Sequence, residues 1–498
     1  MERGRMFAVN RFKVWQCWGV ACLWLTGWLP VAAQGLPETV RQALKKASIP
    51  VDAVAMVAAP VTRDAVPRLR VGADWPVNPA SVMKLVTTYA ALDALGPQFV
   101  WHTLFLADSV PSAGVLRGNL YVKGGGDPKF VMERIDAALQ AVREAGISVV
   151  HGDIVIDHSV FQLPPVDPSA FDGERLRPYN VTPEGLLVNF KSVILKFTPD
   201  VAAQVVRIAH EPPLAGVTVD TVAPLQQGAC ADWRSTLQAR FDQSSAIRFA
   251  GKYPAACGAR EWPVAYAEPT TFAERALEGM WRAGGGLLTG QVRKGAVPAT
   301  AQSVHTAHSL PLADVVADIN KFSNNVMAQQ LFLTLGRSPG GAVHGVPPAL
   351  AGVGTFERSR AWLSRWWPQR LGASVPPPIV ENGSGLSREE RITADALMAL
   401  LRDAAAHPVA GPVLQQSLPV AGVDGTAVRM GERGLLKAAL GNARVKTGSL
   451  RDVASIAGYV QSQGGTQWAV VGIINHPQAS QGRPALDALL EWVANQPR

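Results

Sequence analysis

Three short motifs in this sequence contain side chains that could carry out nucleophilic catalysis. In the first, residues 81–84 (Ser-Val-Met-Lys), the Ser81 hydroxyl and the Lys84 amine are three residues apart and share one face of a helix. A serine hydroxyl becomes a good nucleophile only when a base removes its proton. A lysine can be that base when burial and a neighbouring cation lower its pKa. The start of a helix also offers a free N–H group to a developing oxyanion. The motif therefore makes Ser81 a candidate nucleophile and Lys84 its candidate base.

The second motif, Ser323-Asn324-Asn325, lies just before an apolar helical run at 326–335. The Ser323 hydroxyl could relay a proton, and the Asn325 amide could hold a peptide amide. An ordinary helix cap would explain the same residues equally well. A Ser-x-x-Lys pair is also common by chance, so a solvated surface pair remains an alternative for the first motif.

The third motif, residues 446–449 (Lys-Thr-Gly-Ser), is the most specific of the three and lies on a predicted strand at 443–450. Lys446 and Thr447 offer a positive charge and a hydroxyl to a carboxylate. Gly448 would let a substrate backbone come close to the strand. Taken alone, the motif could equally be an edge strand with a solvated lysine. The three motifs in this order, on helix, helix entry and strand, favour catalysis.

The elements that carry these motifs can be predicted from periodicity and from turn residues. Helices are predicted at 36–48 and 80–95, the second capped by Asn78 and ended by Gly96-Pro97. From about 99 to 297, short apolar runs separated by Gly, Pro and Asp indicate strands, with one helix at 271–282. Helical patterns return at 312–335 and 394–405. The last hundred residues predict three strands and a helix at 484–494, whose apolar stripe should pack on the sheet.

The combined motifs resemble the signature of penicillin-binding proteins and serine β-lactamases, with Asn324 where that signature has Asp. The wide separation of Ser81 from Ser323 exceeds what β-lactamases allow. It suits the DacB-type penicillin-binding carboxypeptidase/endopeptidases (penicillin-binding protein 4), which carry a large insert between the first two motifs. Further stretches that are similar to this family lie at 118–128, 177–180, 382–388 and 422–426.

The resemblance implies an α/β (α+β) fold: a transpeptidase-like domain, with an antiparallel sheet flanked by helices and an all-helical lobe, interrupted by a strand-rich insert. The expected organisation is a signal peptide at 1–33, catalytic pieces at 34–98 and 298–498, and an insert at 99–297 made of two subdomains.

The resemblance also implies the role of each site residue. Ser81 would attack the carbonyl between the two terminal D-alanines of a peptidoglycan stem peptide, and Lys84 would accept its proton. Ser323 would relay a proton to the leaving amine, while Asn325 would position Lys84 and the substrate amide. Lys446 of the third motif would keep Lys84 deprotonated. Lys446 and Thr447 would together receive the substrate carboxylate. The backbone N–H groups of Ser81 and Ser449 would form the oxyanion hole. Penicillins would acylate Ser81 by the same route, and no metal or organic cofactor is expected.

The N-terminus predicts export to the periplasm. Residues 1–33 combine four basic residues, an apolar stretch and the small residues Val31-Ala32-Ala33, which is typical of a cleavable signal peptide. A permanent anchor, or a lipid attached through Cys22, fits less well because the stretch is short and Gly19 replaces the branched residue of a lipobox. Cleavage would reduce the net charge from +8 to near +5. Scattered charge does not favour nucleic acid, and membrane contact should be peripheral at most.

Four cysteines are too few for a disulfide framework, and Cys17 and Cys22 would leave with the signal. In an exported protein the remaining pair, Cys230 and Cys257, favours one disulfide, although two buried thiols remain the alternative. Two other functions also remain open at this point: a serine β-lactamase, and a cell-wall-binding protein without turnover.

Overall fold

Strands from widely separated parts of the chain build one antiparallel sheet. The computed structural model describes residues 35–243, 245–338 and 352–497, so the predicted signal segment 1–33 lies outside the described residues. The first part of the described chain contains α1 (Glu38–Lys46), β1 (Val54–Pro60), β2 (Leu69–Val71) and α2 (Lys84–Leu95).

The middle of the chain consists mainly of short strands. In order they are β3 (His102–Ala107), β4 (Val115–Arg117), β5 (Leu120–Lys123), α3 (Met132–Glu144), β6 (Val149–His151), β7 (Ile154–Asp157), β8 (Ser192–Asp200), β9 (Val205–Glu211), β10 (Thr218–Val219), β11 (Val222–Gln226), α4 (Trp233–Leu237), β12 (Ala239–Gln243), β13 (Ala246–Phe249), β14 (Tyr253–Pro254), β15 (Arg260–Ala265), α5 (Phe272–Ala283), β16 (Leu287–Leu288), β17 (Val292–Lys294) and β18 (Gln302–His308).

The last part of the chain is helical and then returns to the first sheet. Its elements are α6 (Leu312–Phe322), α7 (Asn325–Leu335), α8 (Phe356–Leu371), α9 (Ala394–Ala406), α10 (Ala410–Ser417), α11 (Val428–Glu432), β19 (Ala443–Leu450), β20 (Val453–Gln461), β21 (Gln467–Asn475) and α12 (Arg483–Ala494).

The main sheet has the strand order β19-β20-β21-β1-β2, with every neighbouring pair antiparallel. Alternate residues of each strand point to opposite faces. Ala55 and Val57 on β1 belong to a core with α2, α6, α7, α9 and α10, whereas Val54 and Met56 face α1 and α12. The predicted fold class is therefore confirmed: an antiparallel sheet flanked by helices, with a helical lobe.

The predicted packing of the C-terminal helix on the sheet is also confirmed. Leu486, Leu489, Leu490 and Val493 of α12 are buried against the sheet face that carries Ile456. Among the described residues, no helix is both long enough and apolar enough to cross a membrane.

The strand-rich middle of the chain has a hydrophobic core of its own, running from Phe105 to Leu288. Two five-stranded sheets dominate it, with the orders β17-β7-β5-β3-β18 and β14-β11-β9-β8-β15. The expectation of only one helix there was wrong, because α3 occupies Met132–Glu144. Its buried residues, Ile135, Ala138, Leu139 and Val142, follow helical spacing, so the sequence did contain a signal for it.

The helix predicted to start at residue 80 starts later. Residues Ala80–Met83 form a 3-10 turn, and the α-helix begins at Lys84. Asn78 does cap this segment, but through the N–H of Ala80, whose φ of +47° keeps it out of helical geometry. Ser81 is therefore presented on a tight turn ahead of the helix.

Cys230 and Cys257 form a disulfide, and both contact the core of the strand-rich region. We predict that replacing both by Ser lowers the free energy of unfolding of that region by about 3 kcal/mol, because the unfolded chain regains the entropy of an open loop. Calorimetry with and without reductant would measure the loss. Reductant should lower the stability of the wild type to that of the variant and leave the variant unchanged. A wild type insensitive to reductant would contradict the prediction.

Candidate active site

The turn that carries Ser81 is fixed from three sides by Asn78. The Asn78 N–H donates to Asn475 Oδ1 at the end of β21 (2.8 Å), and its Nδ2 donates to the Ser387 carbonyl (2.9 Å). Its Oδ1 accepts from the Ala80 N–H at 2.8 Å. Through the backbone and side chain of this one residue, Ser81 is positioned relative to both the sheet and a loop at 382–391.

Lys84 is fully buried and its amine lies among three oxygen atoms. Nζ is 3.0 Å from Ser81 Oγ, 2.6 Å from Asn325 Oδ1 and 2.5 Å from the Ser384 carbonyl. Burial lowers the pKa of Lys84 well below its ordinary value, and the positive charge of Lys446 lowers it further. The Glu390 carboxylate acts in the opposite direction. The structure thus favours a neutral amine at this position.

A neutral amine has two N–H donors and one lone pair. The Asn325 and Ser384 oxygens can only accept hydrogen bonds, so they take the two N–H groups. The lone pair of Lys84 then faces Ser81, whose hydroxyl is the one partner of the three that can donate. In the neutral state the arrangement therefore directs the Ser81 proton to Lys84, which is what a general base needs.

The loop that supplies the Ser384 carbonyl is organised by Glu390. This side chain is fully buried, and its Oε1 accepts from the backbone N–H groups of Glu381, Asn382 and Gly383 at 3.0–3.1 Å. Burial raises the Glu390 pKa, whereas the three N–H groups and Lys84 lower it. Gly385 lets this loop lie directly against the Ser81 turn, because a Cβ at this position would lie 1.9 Å from the Ala80 carbonyl oxygen.

Ser323 and Asn325 lie at the junction of α6 and α7. Ser323 ends α6 in the left-handed conformation (φ +57°), and Asn324 caps α7 by accepting from the Met327 N–H. The helix cap and the candidate catalytic residues are thus compatible, because Asn324 forms the cap and leaves Ser323 and Asn325 available for the site. Asn325, the first residue of α7, accepts from Lys84 and donates through Nδ2 to the Tyr179 carbonyl (3.0 Å).

Lys446 is a second fully buried lysine. Its Nζ donates to Ser323 Oγ (2.9 Å) and to the Thr447 carbonyl (2.7 Å). Burial lowers the pKa of Lys446 to about 7. Thr447 is half-buried, and its hydroxyl donates to Thr426 Oγ1 at 2.7 Å. This lysine is not the solvated residue of an edge strand, which was the simpler interpretation.

The space beside Gly448 is taken by the protein itself. A Cβ at this position would lie 2.3 Å from Ser455 Oγ, 2.8 Å from the Pro79 carbonyl oxygen and 3.0 Å from the Ser81 nitrogen. The sequence suggested that Gly448 makes room for a substrate backbone. Its structural effect is to let β19 lie against the Ser81 turn.

These motifs border a cleft of about 650 Å³. Ser81, Ser323 and Thr447–Ser449 line it together with the end of α6, residues 425–426, β20, α11 and α12. Of the described residues that line it, only Asp487 is acidic, and both of its oxygens accept from Arg433. Among the residues that the structure describes, the cleft therefore offers no free carboxylate that could act as the base of a rapid deacylation, which is the base that a carboxylate-dependent β-lactamase needs.

Sequence reasoning missed Glu390, the Ser384 carbonyl and the arginines of the cleft. From the sequence, residues 382–388 could be recognised only as a stretch that is similar to the DacB-type family. Glu390 interacts with Lys84 from more than 300 positions away in the chain, and no local pattern signals such a contact. A buried glutamate beside a glycine-rich loop cannot be told from a surface glutamate by sequence alone.

Comparisons with known proteins agree with the geometry. The profile of the D-Ala-D-Ala carboxypeptidase 3 (S13) family matches residues 36–496. The D-alanyl-D-alanine carboxypeptidase of Actinomadura sp. (strain R39) is 30% identical over 406 residues, covering 77% of this chain and 70% of that protein. The D-alanyl-D-alanine carboxypeptidase DacB of Haemophilus influenzae is 26% identical over 408 residues, 80% of each chain. The crystal structure of penicillin binding protein 4 (dacB) from H. influenzae has the same fold, with a TM-score of 0.70, 22% identity and coverage of 91% of this chain and 99% of that one.

The role of Glu390 in holding the loop can be tested with two substitutions. E390A removes the shared acceptor of three N–H groups and should lower the free energy of unfolding by about 3 kcal/mol. E390Q keeps an oxygen at the same place and should cost much less. Calorimetry of both variants measures the difference, and equal destabilisation would show that the acceptor is not what holds the loop.

Proposed function

Because the chain belongs to the D-Ala-D-Ala carboxypeptidase 3 (S13) family and is a D-alanyl-D-alanine carboxypeptidase, we propose that Ser81 is its acylating nucleophile. The substrate is the stem peptide of peptidoglycan, including its cross-links, so that the enzyme acts as carboxypeptidase and endopeptidase. The observation that carries this assignment is the hydrogen bonding of Lys84, which leaves its lone pair facing the Ser81 hydroxyl.

In the acylation step, Lys84 takes the Ser81 proton while Oγ bonds to the carbonyl carbon of the penultimate D-alanine. The oxygen that becomes negative lies between the backbone N–H groups of Ser81 and Ser449. The close approach of β19 to the Ser81 turn at Gly448 supports this pairing, because it brings the two backbones together.

In the second half of acylation, the C–N bond breaks and the leaving amine gains a proton through Ser323. Ser323 Oγ accepts a hydrogen bond from Lys446, so its own hydrogen is free to be donated toward the cleft. Lys446 and Thr447 receive the carboxylate of the leaving residue. The proton that Lys84 took from Ser81 thus ends on the amine, and Lys84 is neutral again. Lys84 then takes a proton from water as the water oxygen bonds to the acyl-enzyme carbonyl. It passes that proton to Ser81 Oγ as the ester C–O bond breaks and the shortened peptide leaves.

Penicillins follow the same route, since their amide and carboxylate occupy the places of the terminal dipeptide. The β-lactam C–N bond opens without loss of a fragment, so the adduct keeps the full mass of the drug. We further propose that the enzyme works in the periplasm after removal of residues 1–33. The catalytic domain then comprises 34–98 and 298–498, interrupted by the insert 99–297.

We predict that S81A abolishes both the penicillin adduct and D-alanine release. Intact-mass spectrometry of the wild type after incubation with penicillin should show one long-lived addition equal to the mass of the drug. S364A, on an exposed position of α8, is the matched control and should behave as wild type. An adduct that persists in S81A would refute Ser81 as nucleophile, and rapid turnover by the wild type would favour a β-lactamase.

The influence of Lys446 on Lys84 predicts a change in pH dependence. Removing the charge in K446Q raises the Lys84 pKa, so Lys84 becomes a free base only at higher pH. The experiment is done at saturating penicillin, because the bound carboxylate keeps Lys446 protonated in the wild type. The rising limb of the plot of acylation rate against pH should then lie on the order of 1 pH unit higher in K446Q than in the wild type.

Thr447→Val is the control for this experiment. It removes a contact to the same carboxylate without changing charge, so it should lower the acylation rate and leave the midpoint of the limb in place. Equal midpoints in K446Q and the wild type would contradict the electrostatic role of Lys446.

A further inference from the structure

The cleft extends well past the residues that the reaction at Ser81 requires. Besides Thr447 and Ser449, it is lined by Arg429 and Arg433 of the α11 region and by Arg483 at the start of α12. Arg483 Nη2 donates to Ser449 Oγ at 3.2 Å, so this arginine lies next to the third catalytic motif.

The arginines of this wall differ in whether their charge is already neutralised. Arg433 forms a paired contact with the buried Asp487, and Lys321, which also lines the cleft, pairs with Asp424. Arg429 and Arg483 are exposed and have no acidic partner among the residues that the structure describes. Two uncompensated positive charges therefore line the cleft.

Apolar side chains line the same cleft. Phe322 is 67% exposed and Val428 is 42% exposed, while Met430 forms a buried part of the same lining. Exposed apolar and cationic side chains in one cleft suit an extended molecule that carries carboxylates.

The size of the leaving group identifies that molecule. The leaving residue lies between Ser81, where its bond breaks, and Thr447, where its carboxylate binds. When the leaving group is free D-alanine, nothing more needs room. When the bond belongs to a cross-link, the leaving amine is part of a second stem peptide, and the rest of that peptide must lie in the same cleft, which Arg429 and Arg483 line.

We propose that Arg429 and Arg483 form a subsite for a carboxylate of that second peptide, and that this subsite favours cross-linked substrates over single stem peptides. The inference rests on the proposed function of Ser81 and adds the binding of the leaving side. The chemistry is unchanged: the acyl group passes to Ser81, the second peptide departs as a protonated amine, and water hydrolyses the ester.

The test compares two substrates in the same enzyme: a cross-linked stem-peptide dimer, and a single stem peptide ending in D-Ala-D-Ala. We expect R429Q/R483Q to lower the ratio of kcat/KM for dimer cleavage to kcat/KM for D-alanine release by about tenfold, since two charge-assisted contacts are lost. R429K/R483K should restore most of the ratio. R365Q, an exposed arginine on α8, is the matched control and should keep the wild-type ratio.

The outcomes separate this subsite from the catalytic assignment. A wild type that releases D-alanine, with the same substrate ratio in R429Q/R483Q, overturns the subsite alone, as does a wild type that leaves the dimer uncut. A wild type that neither releases D-alanine nor forms a penicillin adduct overturns the proposed function and the subsite with it. The penicillin acylation rate checks the folding of each variant, and the single substitutions give the ratio if the double variant does not fold.

Discussion

The site depends above all on the burial of the Lys84 amine. An ammonium ion in a fully buried position loses its hydration, and this cost lowers its pKa more than the charge of any neighbour does. The three oxygens around Nζ then decide where the lone pair points. Burial favours the neutral amine, and the geometry points its lone pair at the Ser81 hydroxyl, which is what the proposed roles of the two residues require.

Several features that look unrelated serve to keep this amine in place. Glu390 holds the loop whose carbonyl accepts from Lys84, and Gly385 lets that loop touch the Ser81 turn. Asn78 ties the same turn to β21, while Gly448 lets β19 close over it. Each of these contacts joins segments that are distant in sequence. Lys84 and Ser81 are only three residues apart, yet their relative position depends on contacts from the whole domain.

The sequence was informative where function depends on local order. Ser81, Ser323 and Lys446 could be recognised because each motif is short, and the strand that carries Lys446 was predicted with its observed bounds, Ala443–Leu450. The start of α2 was predicted four residues early. Ala80 is left-handed, and Asn78, which accepts from its N–H, is itself held by Asn475 and Ser387, contacts that the local sequence does not show. Glu390 could not be found, since its importance comes from its burial. The arginines of the cleft converge from two separate helical segments, which no linear pattern reveals.

Substrate binding and base strength are coupled through Lys446. With a pKa of about 7, this buried amine is only partly charged near neutral pH in the free enzyme. A carboxylate arriving at Lys446 and Thr447 favours the charged form, so binding recruits a proton to Lys446. The added positive charge lowers the pKa of Lys84 further, because the two lysines repel each other. A substrate that carries the terminal carboxylate thus makes neutral Lys84 more favourable when it binds, which is when Ser81 would lose its proton. A peptide without that carboxylate has no such effect on Lys84. Under the proposed roles of Ser81 and Lys84, selectivity for a free carboxylate next to the scissile bond would arise from activation of the nucleophile as well as from binding.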